Sequence, residues 1–353
     1  MKRLVIDTGA IKGNIGAIKK RAETAAVIAD LSCDGQGLGL LKAAEILRAE
    51  GISNFAVYEV EDAEKLRRNG FVDEHILMLR STVDITEVER LCDCGVTLTV
   101  GSLDAGIAAN SVAVSRSTVV ETQLKVDSGL GQYGFLPTET DKMSKIFRQM
   151  PGLVVSGIYT RFSGPEAGKA AIRRQLETFE NVLVRLNESG IDTGIAHALD
   201  SYALFKCELD RLDAVCVGSA IAGRTPGVSE ELARVGFIEA DIEELDWLPA
   251  ATSVGVGRGV RLKKSTKAAV VSVGWANGVG LLRPDEQPRG LSAIFGARPR
   301  VNVRLGGKRV KLIGNISANC MLLDVTEIDC GVGDRVVIEA DPKTIKGIPV
   351  EYR

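Results

Sequence analysis

The feature that most constrains this chain is a repeated change of period. Between residue 4 and about residue 222, short apolar strand-like runs alternate with helical stretches. The runs are AAVIAD (25–30), NFAVYEV (54–60), HILML (75–79), VTLTV (96–100), TQLKVDSG (122–129), LVVSGIYTRFSG (153–164) and DAVCVGSAIAG (213–223). GIAHALDS (194–201) fits a further short strand. Between them lie helical stretches such as GLLKAAEILRAEG (39–51), VEDAEKLRRNG (60–70) and AGKAAIRRQLETFENVLVRLNESG (167–190), which end in Gly as helix C-termini often do. Eight β-then-α units fit an α/β chain whose first part is a (β/α)8 TIM barrel. A doubly wound sheet of that length would be unusually long. After about residue 235 helical periodicity fades into short alternating runs, TSVGVGRGVRL, KAAVVSVGW, RVNVRLGGKRVKLIGNIS and DRVVIEA. The Gly-Gly of LGGKRV signals a hairpin. The expected domains are a barrel over 1–235 and a C-terminal β-rich domain over 236–353, with residues 1–10 as a candidate partner strand for the latter.

Composition narrows the function classes. The net charge of -2 gives no electrostatic reason to expect nucleic acid or an anionic membrane as partner. No apolar run approaches the roughly 20 residues of a membrane span. The start, MKRLVIDTGAIKGNI, is too polar after Val5 for an export signal and reads as a strand followed by a helix. Seven scattered cysteines, without a C-x-x-C and with His75 and His197 far apart, read as reduced thiols in a cytoplasmic protein without a metal site.

Barrel enzymes keep their reactive groups at the C-terminal ends of strands. Those positions hold Asp30 with Cys33 and Asp34, Lys125 with Asp127, Arg161 with Ser163, His197 with Asp200 and Ser201, and Cys216 through Gly223. Asp30 reads either as a core carboxylate paired with Lys125 or Arg161 or as a ligand group, since buried charges are rarely left unpaired. Cys216 reads as a small buried apolar residue rather than a nucleophile.

Several segments then line up with one family. QLKVDSGLGQYGF resembles K-V-D-T-G-M-x-R-x-G, GIYTRFSG resembles G-x-x-T-H-F, and HALDSYALF resembles H-x-x-N-S-A-x-x. VGVGRGVRLKKSTKAAVVSVGWANGVG and KRVKLIGNISANCMLLDVTEIDCGVGDRVVI resemble two further segments in the same order. The chain resembles the bacterial alanine racemases, homodimers that use pyridoxal phosphate (PLP) and pair a (β/α)8 barrel with a β domain. The resemblance implies that fold for nearly the whole chain. VIADLSCDGQGLGL resembles V-V-K-A-N-A-Y-G-H-G, which puts the cofactor-binding lysine on Asp30 and a phosphate-binding tyrosine on Asp34. The opposing catalytic tyrosine falls on Trp275, and the arginine at the pyridine nitrogen on Cys216. Further family positions fall on Gln132, Arg161, Asp200 and the pair Ala318–Asn319. Ser201, Gly218, Lys125 and Asp127 match, and His197 is carried over as support for the pocket.

An aspartate cannot bond to the cofactor aldehyde, and indole has no basic lone pair. Asp34 and Asp200 would set two carboxylates near a phosphate, each costing roughly 4 kcal/mol at a partly exposed site. The expectation is therefore a member without PLP catalysis: no covalently held cofactor, weak PLP binding at most, and Trp275 plugging vacated space or stacking on a ligand. Such a protein would bind a small amino acid or amine, or act on a partner protein, as a cytoplasmic homodimer. Two alternatives stand beside it. One is a PLP-independent enzyme using Asp30 with Cys33 or Cys216. The other is an amino-acid racemase with a relocated lysine, for which Lys125 is the nearby strand-end candidate.

Overall fold

The structure is a computed structural model that describes residues 1–256, 259–281 and 301–353. Gly257, Arg258 and Arg300 of the alternating runs lie outside the described residues. The chain divides into two compact units, Ala10–Arg234 and Met1–Gly9 with Val235–Arg353.

The larger unit is a parallel barrel. After β1 (Lys2–Ile6), which belongs to the other unit, its strands are β2 (Ala26–Asp30), β3 (Asn54–Val57), β4 (His75–Met78), β5 (Leu98–Val100), β6 (Val120–Val126), β7 (Leu153–Thr160), β8 (Ile195–Leu199) and β9 (Ala214–Val217). They pair in the order β4-β3-β2-β9-β8-β7-β6-β5, and a parallel bridge from Leu77 to Thr97 closes the ring. The interior is packed rather than hollow. Ile28, Ala56, Leu77, Ala214 and Tyr159 fill it. Tyr159 stacks on His197 with centroids 4.7 Å apart and bonds Thr99 Oγ1 at 2.8 Å. His197 Nε2 meets Gln123 Oε1 at 2.9 Å. A filled interior leaves the strand ends as the place for chemistry.

The smaller unit is antiparallel except at one edge. In chain order it adds β10 (Gly236–Leu248), β11 (Ser253–Val254), β12 (Val260–Arg261), β13 (Thr266–Val271), β14 (Val303–Leu305), β15 (Lys308–Leu312), β16 (Met321–Asp324), β17 (Arg335–Glu339) and β18 (Val350–Tyr352). The long β10 pairs with β1 and β17, then past a bulge at Ile242–Glu244 with β13. The β14–β15 hairpin turns on Gly306 and Gly307, both with positive φ, as LGGKRV led us to expect. β18 runs parallel to β1.

One carboxylate ties the two ends of the chain into this sheet. Register places Arg3 opposite Glu239. Glu239 Oε2 takes Arg3 Nη2 at 2.7 Å and Arg335 Nη1 at 3.4 Å, and Oε1 takes Arg353 Nη1 at 2.7 Å. Hydrogen bonding from Arg353 holds the Glu239 carboxyl down at about 2, against a burial that opposes it. A depressed carboxyl stabilises the fold above its ordinary titration range and loses that contribution as pH falls toward 2. With Arg335 and Arg353 half-exposed and screened by water, the contribution is about 2 kcal/mol. Glu239→Gln should therefore lower the melting temperature at neutral pH and flatten the loss of stability between about pH 4.5 and 2. Melting curves over that range check it; an unchanged acid limb would remove the assigned role.

Candidate active site

Side chains on a strand alternate between faces, so a residue two places beyond an interior one points inward one layer higher. Ile28, Gln123, Tyr159 and Ala214 belong to the interior. Two places on stand Asp30, Lys125, Arg161 and Cys216, and these form the mouth of the barrel. β6 lies four strands round the ring from β2, so Lys125 and Asp30 belong to opposite walls.

Asp30 is buried and paired. Its Oδ2 accepts from Arg161 Nη2 at 3.1 Å. Its Oδ1 accepts from the Ser32 N–H at 3.0 Å and from Ser32 Oγ at 2.5 Å. Burial pushes the carboxyl up, but the Arg161 charge and the Ser32 bonds overcome it and leave it below its ordinary value. Lys125 is buried too, yet among the described residues its amine meets no carboxylate within ion-pair distance. Burial, reinforced by the nearby Arg161 charge, lowers it to about 8.

The chain leaves β2 through an unusual turn. Cys33 (φ 57°), Asp34 (φ 54°), Gly35 (φ 64°), Gln36 (φ 62°) and Gly37 (φ 78°) are all left-handed. Each non-glycine residue there costs about 1–2 kcal/mol. Compensation is local. Gln36 Nε2 donates to the Asp30 carbonyl at 2.9 Å, and Asp34 Oδ1 accepts the Leu40 N–H at 2.9 Å. Gly35 is required because a Cβ would sit 2.9 Å from that of Ala43.

Other residues singled out from the sequence sit as follows. Asp127 Oδ1 accepts the N–H groups of Gly129 and Gly131 and so shapes the loop that carries the exposed Gln132. Asp200 caps the helix Ser201–Lys206, accepting the Ala203 N–H at 2.8 Å, and burial raises its carboxyl. Ser201 Oγ accepts the N–H groups of Gly218 at 3.0 Å and Ala220 at 3.1 Å, which ends strand character after Val217. A Cβ at Gly218 would meet Gln36 Nε2 at 2.7 Å. His197 is buried below the mouth, and burial, with the Arg161 charge, lowers it to about 3, so it stays neutral. Cys33 is exposed on the left-handed turn. Within its own unit Trp275 is 55% exposed beside a groove of about 430 Å³ shared with Val279, Leu312 and Ile316. Asn319 is exposed in the same unit.

Two residues were not anticipated. The ring of Tyr133 lies 5.6 Å from Lys125 Nζ and packs edge-on against Tyr58, whose hydroxyl bonds to it. The loop returns to its own strand through Asp127 N–H to Phe135 O and Phe135 N–H to Lys125 O. A Cβ at Gly101 would fall 2.2 Å from the Tyr133 carbonyl oxygen, so glycine there lets the loop close. The available signal was the tyrosine beside the K-V-D segment.

Comparison with known proteins decides the family. The model "Alanine racemase, N-terminal domain" matches residues 6–226 and "Alanine racemase, C-terminal domain" matches 235–351. The chain belongs to the alanine racemase family. The alanine racemase of Desulfosudis oleivorans is 29% identical over 350 residues, covering 94% of this chain and 86% of that protein. The crystal structure of the alanine racemase from D-cycloserine-producing Streptomyces lavendulae superposes with a TM-score of 0.85 at 21% identity, covering 100% of this chain and 97% of that one. That of Bartonella henselae, with covalently bound pyridoxal phosphate, gives 0.81 at 18% identity over 100% and 99% of the two chains. Both structures share the fold expected for this chain.

These relatives correct the expectation of no cofactor. The alanine racemase family works with PLP, and the Bartonella henselae member holds it covalently. The relatives also favour the isomerase alternative over a non-catalytic member. Asp34 and Asp200, expected near a phosphate, each accept a backbone N–H at a helix start. The thiol alternative also weakens, because burial pushes Cys216 up to about 12 and keeps it protonated. At about pH 8, iodoacetamide should alkylate Cys33 in the folded protein and spare Cys216 until the chain unfolds. Peptide mapping after brief labelling reads this directly, and equal labelling of the two would show an accessible, ionisable Cys216.

Proposed function

We propose that this member of the alanine racemase family is a PLP-dependent amino-acid racemase in which Lys125, not position 30, supplies the amine that meets the cofactor. The observation that carries the reading is the state of that amine: buried in the mouth, with its pKa lowered to about 8. An amine attacks an aldehyde only when unprotonated, and an ordinary lysine titrating near 10.4 is almost wholly charged at neutral pH. Position 30, where the resemblance puts the family lysine, is a carboxylate already committed to Arg161 and Ser32.

The residues present fit the cofactor. Lys125 offers the amine. Ser201, whose Oγ accepts two backbone N–H groups, keeps its own hydrogen to give a phosphate. The Asp30 charge is neutralised by Arg161, and the Asp200 carboxylate beside Ser201 is turned onto the Ala203 N–H. When bound, PLP supplies an electron sink that acidifies the substrate Cα. Lys125 Nζ then takes and returns the proton on one face of that carbon. Tyr133, whose ring lies 5.6 Å from Lys125 Nζ, packs on Tyr58 beside that amine. Neutral His197 and protonated Cys216 take no part. In this reading the enzyme acts in the cytoplasm as a homodimer, which the family resemblance implies and the reduced cysteines suit. No helix among the described residues is long and apolar enough to cross a membrane.

The test is incubation with PLP, borohydride reduction and peptide mapping, alongside an assay of L-alanine conversion to D-alanine. The adduct should map to Lys125. Its formation rate should rise through about pH 8 and then level, because the ammonium form is inert below that point. Lys125→Met should remove the adduct and lower turnover by roughly 10²–10⁴-fold. An adduct confined to other lysines, or turnover unaffected by Lys125→Met, would overturn the assignment.

A further inference from the structure

We propose that Arg161 receives the carboxylate of the substrate, and that Asp30 and Ser32 hold the guanidinium in place for it. The identification of that carboxylate as an amino acid's own rests on the racemase reading; the anion site itself does not.

The geometry has three parts. First, Arg161 is the more open partner of its ion pair, with 30% of its side chain exposed against 9% for Asp30. Second, the pair is fixed from behind. Asp30 spends one oxygen on Arg161 and the other on the Ser32 N–H and hydroxyl, so it has no freedom to swing away. Third, the guanidinium has donors to spare. Among the described residues it makes a single hydrogen bond, through Nη2 to Asp30, although it carries five N–H donors in a planar fork. A fork with unused donors in a partly water-excluded mouth suits a planar carboxylate, which it can bind through two parallel bonds.

The location fits as well. The Arg161 charge acts on Asp30 from β2, Lys125 from β6, Tyr159 from β7, His197 and Asp200 at β8 and Cys216 from β9. The Arg161–Asp30 bond joins the end of β7 to β2, three strands away round the ring, so the guanidinium reaches across the mouth. Asp30 cancels its charge, and the Lys125 amine adds positive charge nearby. An incoming carboxylate therefore meets an attractive field and leaves no unpaired cation once bound. Bound there, an amino acid would have its carboxylate on Arg161 and its reacting carbon toward the Lys125 side of the mouth.

The experiment uses the full-length chain and propionate, a carboxylate without an amine, with inorganic phosphate as the competing probe. Binding is followed by thermal shift and calorimetry at constant ionic strength. Propionate should stabilise the wild type, and Arg161→Gln should weaken it at least about tenfold, as expected for loss of a charged hydrogen-bonding partner. Asp30→Asn should weaken it less, because the guanidinium remains but is no longer held. Arg161→Gln strands a buried carboxylate and risks misfolding. The neutral pair Asp30→Asn with Arg161→Gln keeps the packing and should fold, by circular dichroism, without binding propionate. The proposal is overturned if the wild type ignores propionate, if either Arg161 variant binds it as tightly as wild type, or if phosphate binds more tightly in an Arg161-dependent way. Lys125→Met separates the two readings. It should weaken propionate binding less than Arg161→Gln does, while losing the borohydride adduct altogether. Arg161-dependent binding without a Lys125 adduct in wild type would sink only the racemase assignment, and the converse would sink only this one.

Discussion

A closed ring of eight parallel strands leaves each strand one inward face, and everything reactive in this protein follows from that restriction. Along β2, β6, β7 and β9, each strand supplies an interior-filling residue and then, one pleat higher, a polar or sulfur-bearing one. The lower layer is dry and packed, with Tyr159, His197 and Gln123 satisfying one another. The upper layer holds two cations and a carboxylate within reach of one another's fields. Desolvation by the lower layer is what gives Lys125 its lowered pKa, and the same desolvation makes the Asp30–Arg161 pair obligatory. Removing one member of such a pair typically costs 3–5 kcal/mol, because it strands a buried charge.

The left-handed turn after β2 belongs to the same economy. Three non-glycine residues in that conformation store several kcal/mol together, by roughly 1–2 each. A chain at liberty to use glycine throughout would relax. Here the turn folds Gln36 back onto the carbonyl of Asp30, brings Ser32 onto its carboxylate and sends Asp34 to the start of the helix Leu40–Ala49. Strain at three positions is exchanged for a carboxylate whose two oxygens are both fixed, and therefore for an arginine that is fixed in turn.

How much of this was legible depended on the range of the interaction concerned. The eight-unit alternation is local, and it announced the barrel; the Gly306–Gly307 hairpin is local, and it announced itself too. That Asp30 pairs with Arg161 was one of two partners the sequence allowed, and only the ring geometry distinguishes β7 from β6 as the donor. The backbone partners of Asp34 and Asp200 were not legible, because the resemblance that set both near a phosphate says nothing of the N–H groups around them. Asp200 meets an unsatisfied backbone N–H three residues on and Asp34 one six residues on, each at the start of a helix. Tyr133 escaped notice because its place beside Lys125 depends on a loop that doubles back. That closure needs a bare glycine on a different strand end, Gly101. Nothing in the spacing of the loop itself records it.

On the racemase reading the cofactor's amine comes from Lys125, a position that already matches the family's K-V-D segment, and a barrel makes that approach feasible. Strand ends converge on a common axis, so side chains from β2 and β6 approach one volume from opposite sides. A lysine stem has four methylenes and the reach to bring its nitrogen to the centre from either wall. On that reading, the missing lysine at position 30 leaves one direction of approach open in the ring. Arg161 and Asp30 then occupy that direction as a neutral, hydrogen-bonded pair. The exchange is physically consistent because it conserves the two things the mouth needs: one amine without a carboxylate partner, and no unpaired charge. A carboxylate that stayed at position 30 without Arg161 would favour the Lys125 ammonium and hold the amine charged. Arg161, by taking that carboxylate and adding its own positive field, keeps the amine near the point where it can lose its proton.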